Sequence, residues 1–287
     1  MVALSGGVFR MGSDGPETWA SDAEGPQREV QLRPFALDAH AVTNHQFAEF
    51  VQSTSHVTEA ERFGWSYVFV GLIKRGRRGH KGLAHGGTQW WHAVQGATWR
   101  HPEGPKSSIG KRAEHPVVHV SWNDAAAYAT WAGKRLPTEA QWEYAARGGL
   151  VGKRYPWGDE LTPRGKHQCN IWQGRFPTSN TCADGYFGTA PSTAFTPNGY
   201  GLFNMIGNTW EWCSDWWSAH FRADKVVGDP DGPPRGTEKV MRGGSYLCHD
   251  SYCNRYRNSA RTKNTPDSSI GNIGFRCAAD ADCFQTQ

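Results

Sequence analysis

Short alternations of apolar and polar residues open the chain and predict strands. Such runs occupy residues 8–12, 28–32 and 35–38, and glycine or proline separates them. A period of two places successive side chains on opposite faces of a strand, and glycine and proline mark where a strand stops. We therefore expect β structure over most of the first forty residues.

Apolar residues at helical spacing follow three candidate helix N-caps. Thr43, Ser121 and Thr138 each precede such a stripe, and Thr138 forms with Gln141 the Thr-x-x-Gln pattern of a capping box. Glycines at 148 and 149 would end the third helix. These signals predict three short helices that turn aromatic and small apolar side chains toward a core.

The remaining chain predicts little regular structure. Residues 57–115 scatter tryptophans among glycine, histidine and proline, and we expect a long irregular excursion held by aromatic packing. Residues 115–120 and 273–278 are each predicted to be a strand, with Cys277 a buried structural thiol. The chain contains 34 glycines and 16 prolines, which favours many loops. We predict one loop-rich α+β domain of low regular secondary structure over residues 1–287.

Charge and cysteine count restrict the class of protein. The net charge of +4 is mild, and the basic run at 74–81 is interpreted as a solvated loop rather than a nucleic-acid site. The sequence has no apolar run of about 18 residues, the length of a membrane span, and no signal-peptide pattern. Seven cysteines cannot all pair internally. We expect a cytoplasmic monomer that binds neither nucleic acid nor membrane.

Two cysteines form the most distinctive chemical pattern. Cys248 and Cys253 follow the glycines at 243 and 244 and lie among aromatic and basic residues. The C-x4-C spacing differs from the C-x2-C of zinc ribbons and thioredoxin-like enzymes. Two thiolates without further ligands suit a low-coordinate soft ion, and Cu(I) fits best. Spacing alone leaves a disulfide or two unrelated buried thiols as alternatives.

Two further segments combine amide or carboxylate oxygens with turn residues. They are residues 170–174, with 184–186 downstream, and residues 204–212. Hard oxygen ligands of this kind suit Ca²⁺, although neither segment has the EF-hand pattern. Asx-turns beside a buried acid would leave the same pattern. In that case Glu211, between two tryptophans, requires a cationic or hydrogen-bonding partner.

These residues together resemble the formylglycine-generating enzymes, also called sulfatase-modifying factors, of the prokaryotic type. The resemblance runs nearly end to end and implies the sulfatase-modifying-factor, C-type-lectin-like fold. Its most specific part is residues 243–257, which contain both cysteines. The other matching segments are residues 7–12, 42–44, 115–122, 134–144, 207–212, 264–269 and 272–276.

The resemblance also implies an activity and a set of site residues. The family oxidises a cysteine in a Cys-x-Pro-x-Arg segment of an unfolded or nascent sulfatase to Cα-formylglycine, using O₂. The implied catalytic residues are the Cu(I) ligands Cys248 and Cys253 and their pocket neighbours Ser245, Trp210 and Tyr252. Asn272 would contact the substrate peptide. Two structural Ca²⁺ ions would be bound, one by Asn170, Ile171, Asp184 and Tyr186, the other by Asn204, Gly207, Thr209 and Glu211.

Departures from the family pattern refine the expectation. Endoplasmic-reticulum members have cysteines where Ala146 and Asn258 stand here, so those disulfides cannot form and Cys277 lacks its expected partner. This favours an intracellular prokaryotic-type enzyme. Residues 70–95 match no part of the family pattern. The sequence leaves open the roles of His249, Arg255 and Arg257.

Two other classes of protein remain as alternatives. An iron-dependent sulfoxide synthase on the same scaffold would need a histidine cluster such as H-x3-H-x-E, which the sequence lacks. A non-catalytic binding module would have no need for both Cys248 and Cys253.

Overall fold

Fourteen short strands and four short helices alternate with irregular loops in residues 1–73, 89–221 and 223–281, the parts of the chain that the computed structural model describes. The basic run at 74–81 lies outside these residues. The helices are α1 (Asn44–Thr54), α2 (Glu59–Phe63), α3 (Trp122–Trp131) and α4 (Glu139–Arg147). Within the described ranges, no helix has the length and apolar character needed to cross a membrane.

The strands form several small sheets rather than one large one. They are β1 (Val2–Leu4), β2 (Gly7–Met11), β3 (Arg28–Leu32), β4 (Phe35–Leu37), β5 (Trp65–Phe69), β6 (Trp91–Gln95), β7 (Gly174–Arg175), β8 (Ser179–Asn180), β9 (Trp210–Trp216), β10 (Val227–Gly228), β11 (Lys239–Arg242), β12 (Arg261–Asn264), β13 (Ile273–Gly274) and β14 (Ala278–Asp280). The sheet orders are β1-β4-β14, β10-β3-β2 and β12-β11-β9-β13, and β5-β6 and β7-β8 form two-stranded sheets. The predicted loop-rich α+β class is confirmed.

The predicted helix starts are confirmed in detail. Thr43, Ser121 and Thr138 each accept the N3 backbone N–H, and the N3 side chain reaches back in each case. Gly148 ends α4 with φ 56°, the left-handed conformation that glycine adopts without strain. All nine residues of α4 are buried, so this helix is a central element of the core.

The expected irregular excursion at 57–115 is wrong in its first half. Thr58 caps α2 with a second capping box, and β5 pairs antiparallel with β6 to form a sheet. Trp65 lies opposite Gln95 and Phe69 opposite Trp91. Pairing between segments so far apart leaves no local periodic signal, so the sequence pattern could not reveal this sheet.

The predicted strand at 115–120 is also wrong. Pro116 has no N–H to donate and makes one isolated bridge to Thr43. His119 then takes φ 60°, which breaks an extended run. The segment instead lies between the chain near Val42 and the chain near Ile270. The Val117 N–H donates to the Val42 carbonyl, and the His119 N–H donates to the Ile270 carbonyl.

The predicted last strand at 273–278 divides into two strands in different sheets. β13 runs parallel to β9, whereas β14 pairs antiparallel with β4. Phe275, Arg276 and Cys277 carry the chain from one sheet to the other and are fully buried. The prediction that Cys277 is a buried thiol is confirmed.

Buried ion pairs tie distant segments of this loop-rich chain together. The Arg276 guanidinium binds Glu211 with Nε–Oε2 at 2.7 Å and Nη2–Oε1 at 2.8 Å. Arg257 binds Glu24 with both Nη nitrogens at 2.6 Å from its oxygens. Arg242 pairs with Glu143 of α4. Bidentate pairs fix orientation as well as distance, so they hold loops that have few ladder hydrogen bonds.

Replacement of Glu24 by alanine should leave the Arg257 guanidinium buried without its counter-ion. Breaking such a pair typically costs about 3–5 kcal/mol, and we expect that loss in the free energy of unfolding from urea titration at pH 7. Glu238→Ala removes the half-exposed pair with Lys263 and is the control, with an expected loss below about 1 kcal/mol. Equal losses in the two variants would contradict the prediction.

Candidate active site

The segment 243–257 follows β11 and begins with two positions that only glycine can occupy without strain. Gly243 has φ 99° and Gly244 has φ 73°. A Cβ on Gly244 would lie 2.8 Å from the Arg255 carbonyl oxygen, and one on Gly243 would lie 3.0 Å from the Met205 carbonyl oxygen. The glycines therefore allow the start of the loop to pack directly against its end.

A tight turn brings the two cysteines of this loop together. The His249 carbonyl accepts hydrogen bonds from the N–H groups of Tyr252, Cys253 and Asn254, at 3.0, 2.8 and 3.0 Å. Cys248 and Cys253 are free thiols, 1% and 5% exposed, and their side chains share a hydrogen bond. The two sulfurs thus face each other, as a common ligand would require.

The surroundings make the two thiols electrostatically unequal. Burial raises the pKa of Cys248 well above its usual value, and the hydrogen bond to Cys253 raises it further. Burial also acts to raise the pKa of Cys253, but the Cys248 hydrogen bond and the Arg255 guanidinium outweigh it and lower that pKa. When the pair loses a proton, Cys253 is therefore the sulfur that ionises first, and the Cys248 thiol donates to it.

Both cysteines line a cavity of about 150 Å³ together with every other predicted pocket residue. The Ser245 N–H donates to Cys248 Sγ at 3.4 Å, and Ser245 Oγ accepts from Asn272 Nδ2 at 2.9 Å. The Trp210 N–H donates to the Asn272 carbonyl at 2.9 Å. Further lining residues are Trp90, Trp91, Met241, Leu247, Tyr252, Arg255, Thr262, Ile270 and Ile273. A larger cavity of about 900 Å³, beside Lys239, contains neither cysteine.

Several lining residues were not identified as site residues from the sequence. Trp90 and Trp91 reach the cavity because β6 pairs with β5, and Trp90 packs edge-on against Tyr252 at 4.7 Å. Phe176 stacks on the Tyr252 ring at 4.6 Å with an interplanar angle of 3°. The doublet at 90–91 was visible in the sequence, but nothing local connected it to the cysteines.

His249 does not line the cavity, although it is adjacent to Cys248. Its Nδ1 contacts Ser251 Oγ at 2.8 Å and lies 2.9 Å from the exposed Asp250 carboxylate. The contribution of His249 to this site is its backbone carbonyl, which closes the turn that joins the cysteines.

The donor set at the cysteine pair fits a soft monovalent cation. Two sulfurs in mutual contact, one of them with a lowered pKa, match the low-coordinate geometry that Cu(I) accepts. In residues 1–73, 89–221 and 223–281, no three His, Cys, Asp or Glu side chains are arranged to hold a metal together. At this cavity the chain offers two sulfurs and leaves space beside them for one further ligand.

The first predicted calcium group fits a hard cation. Asn170 is 1% exposed, yet its Oδ1 has no hydrogen-bond partner among the residues that the structure describes. The Asp184 carboxylate accepts from the Ile171 and Tyr186 N–H groups, at 3.1 and 3.0 Å. Gln173 Nε2 lies within hydrogen-bond distance of both the Ile171 carbonyl and Asp184. The Ile171 carbonyl and the Asp184 carboxylate therefore lie close together, and the neighbouring Asn170 has an unpaired oxygen.

In the second predicted calcium group, the carboxylate already has hydrogen-bonding partners. Asn204 Oδ1 is again a buried oxygen for which the described part of the chain supplies no hydrogen-bond partner. Glu211, however, is already bound by Arg276 on both oxygens and by Trp142 Nε1 at 2.8 Å. These contacts supply the partners that Glu211 was expected to need. A cation beside Gly207 and Thr209 would have to share this carboxylate with Arg276.

Comparison with known proteins agrees with the geometry of the site. Residues 1–281 match the family model described as "Sulfatase-modifying factor enzyme 1-like domain". A Thermomonospora curvata protein named formylglycine-generating enzyme is 61% identical, covering 98% of this chain and 93% of its own. A Streptomyces coelicolor protein of the same name is 60% identical, covering 98% and 89%.

Two further similarities separate fold from activity. A Bos taurus protein named inactive C-alpha-formylglycine-generating enzyme 2 is 46% identical over 98% of this chain and 88% of its own. The structure of PvdO from Pseudomonas aeruginosa superimposes with a TM-score of 0.70 at 24% identity, covering 97% and 93% of the two chains. The latter shows the fold alone.

The unequal thiols predict unequal reactivity. In the reduced, metal-free protein at pH 7.5, we expect iodoacetamide to alkylate Cys253 faster than Cys248, because the thiolate is the reacting form. Peptide mapping by mass spectrometry measures the two rates. Cys253→Ser is the matched variant and should leave Cys248 slow. Faster alkylation of Cys248 than of Cys253 would show that the charge assignment is reversed.

Proposed function

This chain belongs to the family of sulfatase-modifying factor enzymes, and on that premise we propose that it is a copper-dependent formylglycine-generating oxidase. Its substrate is a cysteine in a Cys-x-Pro-x-Arg segment of an unfolded or nascent sulfatase, and its oxidant is O₂. A relative at 46% identity is named inactive, so family membership alone does not establish the activity. The observation that carries the proposal is the pair of free thiols at the wall of an aromatic cavity.

The chemistry divides between the cysteine pair and the substrate. Cys248 and Cys253 would hold Cu(I), which when bound supplies the electron transfer to O₂. Oxidation of the substrate CH₂–SH carbon to the aldehyde level releases two electrons and two protons, and hydrolysis releases the sulfur as H₂S. O₂ takes up that pair, and a second pair from a thiol reductant would complete its reduction to water.

The chain's own residues position the substrate and exclude water. A cavity of about 150 Å³ has space for a side chain but not for a folded domain, so the peptide must lie extended across its mouth. Trp90, Trp91 and Tyr252 give this mouth an apolar wall. Ser245 and Asn272, already bonded to each other, present polar atoms near the sulfurs.

The state of the cysteines also supports a location. A disulfide between Cys248 and Cys253 would remove both donors from the cavity. The site needs both thiols reduced, and because the chain lacks the cysteines of endoplasmic-reticulum members at Ala146 and Asn258, we propose a cytoplasmic location.

Loss of either cysteine should abolish conversion of a Cys-x-Pro-x-Arg peptide. We expect Cys248→Ser and Cys253→Ser each to reduce aldehyde formation more than about 100-fold under air with added Cu(I), because even outer-shell changes cost 10–100-fold at metal sites. Mass spectrometry of the peptide measures the product.

Cys182→Ser is the control for this experiment, since Cys182 is a partly exposed free thiol outside the cavity. Full turnover by both serine variants would refute the site. Peptide binding without conversion by the wild-type protein would favour the binding-module alternative.

We further propose that Asn170, Ile171, Asp184 and Tyr186 hold one structural Ca²⁺, and that Asn204, Gly207, Thr209 and Glu211 surround a second. Chelation should lower the melting temperature of the wild-type protein, because an ion that binds only the folded state stabilises it. Asp184→Asn should already melt lower and respond less to chelator. Asp159→Asn, in an exposed pair with Lys153, is the control. Absence of calcium on metal analysis together with no response to chelator would contradict the proposal.

A further inference from the structure

A pair of thiolates around a monovalent cation has a net charge of −1 and lies almost wholly out of water. Cys248 and Cys253 are 1% and 5% exposed, and an uncompensated buried charge is strongly unfavourable. Among the described residues that line the cavity, Arg255 is the one with a permanently charged side chain. The charge balance of the site therefore depends on where this guanidinium lies.

Arg255 lies beside the second cysteine. Both residues line the same cavity, and the Arg255 guanidinium acts to lower the pKa of Cys253. The side chain is 19% exposed, so it has a route to solvent that the cysteines lack. A long, flexible cation at the edge of a cavity stays against an anion only if something else fixes it.

Asp22 supplies that fixation from a distant part of the chain. Its carboxylate binds Arg255 Nε at 2.5 Å and Nη2 at 3.0 Å, a side-on bidentate pair. The Trp19 ring lies over the same guanidinium at 4.6 Å. Asp22 is 6% exposed and does not line the cavity, so any influence it has on the sulfurs passes through Arg255.

The segment that carries Asp22 is itself anchored to the cysteine loop. Two residues further on, Glu24 binds Arg257, which is 1% exposed. Ser259 Oγ donates to the same carboxylate at 2.8 Å. Asp22 and Glu24 therefore hold Arg255 and Arg257, the first two arginines after Cys253. A displacement of Asp22 would also disturb the neighbouring Glu24–Arg257 pair.

We propose that Asp22 is a positioning residue that holds Arg255 against Cys253, so that Arg255 serves as the counter-ion of the occupied thiolate pair. The part of this proposal that concerns copper rests on the function proposed above. It assigns to the N-terminal segment a role in metal affinity that neither cysteine position nor loop sequence indicates.

The experiment is a double-mutant cycle on the full-length protein. Asp22→Asn, Arg255→Met and the double variant are compared with wild type for Cu(I) affinity, measured by competition with a chromophoric Cu(I) chelator. We expect Arg255→Met to weaken Cu(I) binding about 10–100-fold and Asp22→Asn by a smaller factor in the same direction. Asp22→Asn should add nothing once Arg255 is absent, because it acts through that residue.

A second readout needs no metal. In the metal-free protein the rate of alkylation of Cys253 should fall in Asp22→Asn and should not fall further in the double variant. Glu17→Gln is the matched control, since Glu17 lies on the same segment, pairs with Arg154 and is outside the cavity. Should Asp22→Asn fail to fold, Asp22→Glu keeps the carboxylate but displaces it, and should show a smaller loss with the same dependence on Arg255.

Equal effects of Asp22→Asn with and without Arg255 would show a general structural role and overturn the proposal. No effect of Asp22→Asn on either readout would also overturn it. If the wild-type protein binds no Cu(I), the proposed function falls instead, and the alkylation cycle still decides whether Asp22 acts through Arg255.

Discussion

Buried guanidinium–carboxylate pairs are the constraint on which this structure depends. Desolvating such a pair is expensive, so it persists only where the geometry satisfies both partners. At the start of the loop that carries both cysteines, residues 243–257, Arg242 pairs with Glu143. At its end, Arg257 pairs with Glu24. Arg276, in the connection between β13 and β14, pairs with Glu211. Each pair joins segments that short strands alone would leave loosely connected, so the position of the site is set largely by electrostatics.

The same balance between desolvation and charge pairing operates at the two buried cysteines. Burial favours neutral thiols, yet one hydrogen bond and one guanidinium outweigh it and lower the pKa of Cys253. The result is a polarised pair beside a small aromatic cavity rather than two inert core thiols. Such an arrangement suits a soft ion that must accept a third ligand, and a peptide side chain is the ligand that the cavity can admit.

The comparisons show why activity must be argued from these residues. One relative at 46% identity is named inactive, and PvdO shares the fold at 24% identity. A common scaffold can carry different functions, since chemistry belongs to sites built on it. On the function proposed here, the paired thiols, the Ser245–Asn272 hydrogen bond and Arg255 are the features that would make this cavity reactive.

The sequence by itself determined what contacts within a few residues can encode. The helix N-caps at Thr43, Ser121 and Thr138, the capping box at Thr138 and the Gly148 stop were correct, and so were the early strands, because these signals act between near neighbours. It also singled out both cysteines, while their copper and the calcium sites stay predictions. Only the tertiary structure decided the rest. The β5–β6 sheet, the divided C-terminal strand and the Asp22–Arg255 pair join segments far apart in the chain, and no local periodicity records such partners.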